Sequence, residues 1–301
     1  MKTTSIALLV LKAAIATTLL LISTTLLFAQ EKEKLEKMDK LAHSADKIKN
    51  KEFCSADSWS NGDKVSFKEL REMTIPASGS LAVDGGKNGG IKVKGSERSD
   101  ILVRACVQSW GTSDEAARAI ASGIRISTGG TVKAEAADDQ NWGVSYEVLV
   151  PRNTDLNLKA HNGGISISSV EGRLNFETLN GGVGLMDVAG DVRGRTTNGG
   201  VKVSLTGNSW RGTGLDVITT NGGVHLMMPE TYAANIETGT TNGGFRSDIP
   251  ALNVTQEEVK GPTRHNRATR LNTSLNGGGA PIRIITTNGG VNISSGGKSV
   301  Y

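Results

Sequence analysis

The most regular pattern in the sequence is a pair of short apolar–polar alternations that recurs about every twenty residues in the second half of the chain. In the unit 162–179, Ile165 and Ile167 form the first apolar pair, and Leu174 and Phe176 form the second. Alternation with a period of two is typical of strands that bury one face. Each unit therefore predicts two short strands.

Most units begin with the tripeptide Asn-Gly-Gly, which an apolar residue usually follows. It occurs eight times, at Asn88, Asn162, Asn180, Asn198, Asn221, Asn242, Asn276 and Asn288. The spacings between the central copies are 18, 18, 23 and 21 residues. Glycine adopts positive φ without strain and asparagine tolerates it, so we expect these tripeptides to form the turns between strands. A turn and a short strand repeated at this period predict an all-β fold, a single-stranded β-solenoid that resembles a parallel β-helix.

The region before the repeats predicts further strands and one helix. A strand with one core face is expected before Pro151, at Val144, Tyr146, Val148 and Val150. Ser113 precedes two acidic residues and an alanine-rich run, which predicts a short helix with Ser113 as its N-cap and Gly123 as its end. Residues 251–275 interrupt the repeat period and are expected to form a loop, after which 278–294 should end the stack.

The first 29 residues are expected to be a signal for export. They hold Lys2, then Lys12, then 16 uncharged residues before Ala29, a stretch short for a membrane span. Cleavage after Ala29 is the expectation, and an uncleaved N-terminal anchor is the alternative. Residues 30–52 alternate Lys and Glu with one narrow apolar stripe, which predicts a charged helical linker or, alternatively, a partner helix or stalk. The β-solenoid is expected over 53–298.

Charge and composition exclude a nucleic-acid partner. The formal net charge of +4 falls to +2 once Lys2 and Lys12 leave with the signal. Aromatic residues make up 4% of the chain, so platforms on which bases could stack are lacking.

Two cysteines, Cys54 and Cys106, remain in the exported chain. In an oxidising compartment the simplest interpretation is one disulfide. The alternative is a reactive thiol, which would need a neighbouring His or Asp.

Several motifs together resemble a known family. Val148-Leu149-Val150-Pro151 is followed by Asn-Gly-Gly-aliphatic units, with Thr-Thr-Asn-Gly-Gly at 196–200, 219–223, 240–244 and 286–290. Over roughly residues 80–298 the chain resembles the bacterial putative-adhesin β-strand-repeat family. The resemblance implies an exported, repetitive β protein of the bacterial envelope, and it brings no catalytic set with it.

Candidate chemical groups are present but do not converge in the sequence. The carboxylate candidates are Asp138 with Asp139, and the scattered Asp187, Asp191 and Asp216. None of the four histidines, His43, His161, His225 and His265, stands at metal-ligand spacing. Residues 181–187 approximate a calcium-binding nonapeptide, but the aspartate comes one position late. We therefore expect no enzyme, no metal and no cofactor.

The expected function is adhesion or scaffolding in the cell envelope, with a repetitive partner such as a glycan or another surface protein bound by many weak contacts. The alternatives are a β-helix enzyme that cleaves polysaccharides and a regulatory partner in envelope stress. Arg264, Arg267 and Arg270 form a local basic cluster that could contact an anion or simply be solvated. The ligand cannot be identified from the polar positions between core residues, Ser166, Lys202, His225, Arg246 and Asn292, because their character varies.

Overall fold

A computed structural model describes residues 53–54, 64–138, 140–252 and 269–296. The chain divides into two compact units, Met1–Ser55 and Ala56–Tyr301. The predicted signal (1–29) and charged linker (30–52) lie outside the described residues.

The described part of the second unit is mostly β. Its strands are β1 (Val65–Pro76), β2 (Ser80–Asp84), β3 (Ile91–Ser96), β4 (Asp100–Gly111), β5 (Arg125–Ser127), β6 (Thr131–Glu135), β7 (Trp142–Pro151), β8 (Asp155–Ala160), β9 (Ile165–Ser168), β10 (Glu171–Asn180), β11 (Val183–Met186), β12 (Ala189–Asn198), β13 (Val201–Ser204), β14 (Gly214–Asn221), β15 (Val224–Met228), β16 (Ala234–Asn242), β17 (Phe245–Ser247), β18 (Thr269–Leu275), β19 (Pro281–Asn288) and β20 (Val291–Ser295). One α-helix, α1 (Asp114–Gly123), and one 3-10 helix (Pro250–Leu252) accompany them.

These strands form two ten-stranded sheets. Sheet A has the order β1-β4-β7-β3-β9-β11-β13-β15-β20-β17, and sheet B has the order β18-β16-β19-β14-β12-β10-β8-β2-β6-β5. Each repeat gives one strand to sheet B, turns at its Asn-Gly-Gly, and gives the next strand to sheet A. Because the strands on either side of the tripeptide lie in different sheets, the corner is not a hairpin.

Successive repeats pair in parallel with residues of equal position opposite each other. In sheet B, Leu174 pairs with Leu156 on one side and with Val192 on the other. In sheet A, Val183 lies between Ile165 and Val201. All six side chains are buried. The prediction of two short strands per unit with alternating core residues is confirmed.

Where one repeat carries a large side chain, the neighbouring repeat can carry a glycine opposite it. Phe176 and Gly194 are opposite each other in β10 and β12, and a Cβ on Gly194 would overlap the phenyl ring. Burying such a ring contributes about 1.5–3 kcal/mol, but only because the neighbouring repeat leaves the space for it.

The C-terminal unit does not end the stack, so that expectation is wrong. β19 inserts between β14 and β16, and β20 inserts between β15 and β17. Residues 269–275, expected to be part of a loop, form β18, which pairs antiparallel with β16. The repeat pattern specifies which residues lie opposite each other in two paired units. Because every unit has the same strand edges, the pattern does not specify the order in which the units stack.

At the other end of the sheets, antiparallel strands and the helix cover the repeats. β4 pairs antiparallel with both β1 and β7. The predicted N-cap is confirmed, since Ala116 N donates to Ser113 Oγ at 3.2 Å. Arg71 donates to the carbonyl oxygen of Ala121 at 2.8 Å, which satisfies the C-terminal end of α1. At this end β1 is the last strand of sheet A and β5 is the last strand of sheet B.

The predicted disulfide is confirmed. Cys54 and Cys106 are the only cysteines of the chain, and both are disulfide-bonded.

Candidate binding face

Seven of the eight Asn-Gly-Gly asparagines form one continuous ladder of side-chain amides. In the order Asn88, Asn162, Asn180, Asn198, Asn221, Asn288 and Asn242, each amide from Asn162 onward donates to the side-chain oxygen of the preceding asparagine at 2.7–3.2 Å. Asn276 stands apart, with φ 49° and its amide donating to the carbonyl oxygens of Glu230 and Tyr232. The ladder aligns the corners of the repeats along one edge.

The expected reason for the glycines at these corners is wrong. None of the glycines in the seven ladder tripeptides has a positive φ. The first glycine is required by close approach instead: a Cβ on Gly181 would overlap the carbonyl oxygen of Gly163, and the other repeats behave alike. Positive φ occurs at the opposite corner, for example at Gly190 with φ 104°.

In four of the ladder repeats, the threonine two residues before the asparagine has a structural role that sequence reasoning missed. Thr178, Thr196, Thr219 and Thr286 are buried, and each hydroxyl donates at 2.7 Å to the carbonyl oxygen of the first glycine of the neighbouring repeat. A buried hydroxyl needs such a partner, and the recurring Thr at one position was the signal that could have indicated it.

The outer face of sheet A carries one row of side chains in strict register across seven strands. From β3 to β17 this polar row is Lys92, Ser166, Gly184, Lys202, His225, Asn292 and Arg246. It contains all five polar positions that the sequence left without a ligand. Side chains of alternate residues point to opposite faces of a sheet, so these positions face outward wherever their neighbours are buried.

A groove of about 900 Å³ runs along the part of this row from Gly184 to Arg246. Apart from Gly184, its glycine lining is the second glycine of five neighbouring tripeptides, Gly182, Gly200, Gly223, Gly290 and Gly244. These glycines are exposed, and a Cβ on Gly200 would meet only the carbonyl oxygen of Gly223, at 3.3 Å. The second glycine is therefore less constrained by packing than the first, and its lack of a side chain keeps the groove open.

Of the Lys and Arg side chains in the polar row, only Lys92 pairs with a carboxylate within the described ranges. Lys92, at the β3 end of the row, pairs with Glu147 at 2.9 Å. Lys202 and Arg246 are exposed and have no ion pair within the described ranges. His225 is half-buried between their strands, with its Nε2 3.3 Å from Ser294 Oγ. This end of sheet A is therefore cationic.

Sheet B differs, because most of its outer charges pair with one another. Arginines and carboxylates on neighbouring positions form the pairs Arg173–Asp155, Arg193–Asp191, Arg195–Glu177 and Arg283–Asp216, at 2.8–2.9 Å. The Arg173 backbone N–H donates to Asp155, and this bond, more than the guanidinium, lowers the pKa of that carboxyl. Exposed pairs of this kind contribute little to stability, but they neutralise most of the charges on this face. Lys159 is exposed there and has no ion pair within the described ranges.

The basic cluster expected at Arg264, Arg267 and Arg270 is only partly visible. Arg264 and Arg267 lie outside the described residues. Arg270 lies in β18, and its guanidinium is 3.7 Å from Glu237. It is therefore part of the paired charges of sheet B.

The candidate carboxylates of an enzyme have partners elsewhere. Asp191 and Asp216 pair with arginines, and Asp187 accepts a hydrogen bond from Thr206 at 2.9 Å. Asp138 accepts from the backbone N–H of Gln140. The structure does not bring these carboxylates together, and Asp139 lies outside the described residues.

Metal-ligand clusters and membrane-spanning helices are both absent from the described residues. Among these residues, no group of three His, Cys, Asp or Glu side chains is placed to hold a metal ion. Within the same ranges, neither α1 nor the 3-10 helix has the length and apolar content that crossing a bilayer requires.

Comparison with known proteins gives distant structural likenesses only. No protein-family model matches the sequence, and no curated protein matches it. A putative cell adhesion protein from Clostridium sporogenes is 10% identical, with a TM-score of 0.38, over 76% of this chain and 100% of that one. A putative adhesin from Bacteroides fragilis is 11% identical, with a TM-score of 0.37, over 76% and 97%. A putative lipid binding protein from Parabacteroides distasonis is 12% identical, with a TM-score of 0.26, over 77% and 97%. At these TM-scores the likenesses carry no argument about function.

Proposed function

We propose that this chain is an exported, non-enzymatic protein of the bacterial cell envelope that works as an adhesin. In this proposal the repeats form a β-solenoid, and the outer face of sheet A binds an extended, repetitive partner. The observation that carries the proposal is the polar row with its open groove, which crosses successive strands at one position per repeat.

A regular stack of repeats suits this task because each strand presents one more contact of the same kind. Neighbouring strands are about 4.8 Å apart, so the row offers contacts at a constant interval to a polymer lying along it. Single contacts to exposed polar groups are weak, but several on one rigid face act together and raise the overall affinity.

The difference between the two sheets supports sheet A as the binding face. Most charges on sheet B pair with one another, whereas Lys202 and Arg246 on the second half of the polar row have no ion pair within the described ranges. The carboxylates considered for catalysis have structural partners, which supports a binding role over polysaccharide cleavage.

The test is to block the groove without touching the core. Gly184 is the third position of the polar row and lines the β11 end of the groove, and a Cβ there would meet only Ser166 Oγ, at 3.6 Å. Gly184→Trp should therefore obstruct this end of the groove and weaken binding of the purified protein to isolated envelope polysaccharide at least tenfold. Asn175→Trp, on the exposed outer face of sheet B, is the matched control and should bind like the wild type.

Two results would contradict the proposal. Equal binding by both tryptophan variants would remove the groove from the function. The appearance of new reducing or unsaturated ends in the polysaccharide would show turnover and defeat the non-enzymatic part.

A further inference from the structure

The chemistry of the polar row identifies a class of ligand. Lys202, His225, Asn292 and Arg246 lie on four successive strands, β13, β15, β20 and β17. With strands about 4.8 Å apart, the two cationic positions are about 14 Å from each other along the groove. Between them stand an imidazole and a carboxamide, which exchange hydrogen bonds with hydroxyl groups.

The groove between the cations is shaped for a flat, unbranched chain. Its lining at Gly200, Gly223 and Gly290 has no side chains, so a ligand can approach the backbone closely. The carbonyl oxygens of these glycines already accept hydrogen bonds from Val183, Val201 and Val224 of the preceding repeats. Recognition must therefore come from the side chains of the row and not from the backbone.

Nucleic acid fits this groove poorly. Duplex binding usually neutralises several phosphates, about 6–10 in strongly salt-dependent cases, whereas the groove offers two unpaired cations. Single strands need aromatic side chains for stacking, and the groove lining contains none apart from the imidazole of His225. A peptide strand would pair with a sheet edge, whereas the groove runs across the strands.

We propose that the ligand of this groove is a linear acidic polysaccharide whose carboxylates bind Lys202 and Arg246 while its hydroxyls bind Asn292 and His225. This inference rests on the proposed function, since it names the partner of the same face.

The experiment measures binding of the purified full chain to polygalacturonate, a linear glycan with one carboxylate on each sugar. Its fully methyl-esterified form is the neutral control polymer with the same backbone. The test variant is Lys202→Gln with Arg246→Gln, and the matched control is Arg173→Gln with Arg195→Gln, which removes the same charge from the exposed face of sheet B.

We expect the wild type and the sheet B control to bind polygalacturonate within twofold of each other. The Lys202/Arg246 variant should bind it at least tenfold more weakly, and the methyl-esterified polymer should bind at least tenfold more weakly to the wild type. Added salt should reduce the binding of the wild type.

Each other outcome overturns the inference in a distinguishable way. Equal binding of both polymers, unaffected by the Lys202/Arg246 variant, would reject an acidic ligand but leave glycan adhesion intact. Duplex DNA bound as tightly as polygalacturonate at the same salt would replace the glycan by a general polyanion. No binding of either polymer would reject this ligand class, while the Gly184→Trp test on envelope polysaccharide would still decide the proposed function.

Discussion

Gly199 and Gly181 lie so close across two neighbouring repeats that a Cβ on Gly199 would overlap the carbonyl oxygen of Gly181. The next residue along, Gly200, has no such contact: a Cβ there would meet the carbonyl oxygen of Gly223 at 3.3 Å. Two adjacent glycines of one tripeptide therefore have different tasks. The first allows the repeats to stack, and the second lines the groove.

This difference predicts that two alanine substitutions one residue apart change the free energy of unfolding by different amounts. Gly199→Ala should lower the free energy of unfolding by about 1–3 kcal/mol, since the backbone of one repeat must move to admit the methyl group. Gly200→Ala should change it by less than about 1 kcal/mol, because slight strain is offset by a less flexible unfolded chain. Urea denaturation measures both. Equal losses in the two variants would contradict the separate tasks, and Gly222→Ala with Gly223→Ala repeats the comparison one unit further on.

The asparagine ladder predicts that replacing one of its members by aspartate causes a loss of stability that depends on pH. Asn198 donates to Asn180 and accepts from Asn221, both at 2.8 Å. Asn198→Asp keeps the acceptor but loses the donor, which should cost about 1–2 kcal/mol at pH 7. The oxygen of Asn180 opposes the charge and raises the pKa of the new carboxyl, and the protonated carboxyl can donate again. The deficit in thermal stability should therefore shrink as the pH falls. Asn157→Asp, outside the ladder, should show no such recovery.

Much of this fold could be predicted because the buried positions follow a simple period. Ile165 and Ile167, then Leu174 and Phe176, mark two strands that the structure contains. The role of Gly181 could not be predicted, because its neighbour Gly163 is close only once the two repeats are stacked. The position of the last unit in the stack could not be predicted either, because every repeat has the same strand edges with which it could pair.

The sequence indicates which residues form the polar row, but not that they lie side by side on one face. Lys202 and Arg246 are 44 positions apart in the sequence, and the insertion of β20 between β15 and β17 places Asn292 between His225 and Arg246 in their row. Whether a charge is paired also depends on register: Arg195 pairs with Glu177, which lies opposite it on the neighbouring strand, whereas Lys202 has no ion pair among the described residues. Neither relation is encoded in the local pattern.

The pair formed by Asp155 and Arg173 predicts how acid affects stability. The backbone N–H and then the guanidinium of Arg173 hold the pKa of Asp155 below its ordinary value of 3.8. The ionised carboxylate therefore stabilises the fold above that pH, and this contribution is lost as the pH falls through the lowered pKa. Because the pair is exposed, Asp155→Asn should cost no more than about 1 kcal/mol at pH 7.

The measurement is urea denaturation from pH 7 to pH 3, where the two proteins should converge at the acid end. Arg173→Gln is the informative companion, because it keeps the backbone N–H that lowers the pKa most. It should retain most of the pH dependence. Loss of that dependence in Arg173→Gln would show that the guanidinium, and not the backbone, governs Asp155.

The inserted C-terminal unit predicts that its loss damages the interior of the stack and not only its end. Ile282, Ile284, Val291 and Ile293 of this unit are buried. Removing them forgoes about 6–12 kcal/mol of apolar burial before the entropy regained by the chain is counted. It also leaves Asn221 and Asn242 without their shared partner, Asn288. A chain that ends at Gly279 should therefore unfold at a much lower temperature than the full chain.

A peptide of residues 280–296 added to the shortened chain tests whether this unit belongs between its neighbours or at the end of the stack. The gap that the missing unit leaves is bounded by parallel strands on both sides in both sheets. The peptide should therefore bind and raise the unfolding temperature as its concentration rises. The same peptide with Ile284→Asp and Val291→Asp should not, because its charges would enter the core. Unchanged stability of the shortened chain, or equal rescue by both peptides, would contradict the insertion of β19 and β20 between their neighbours.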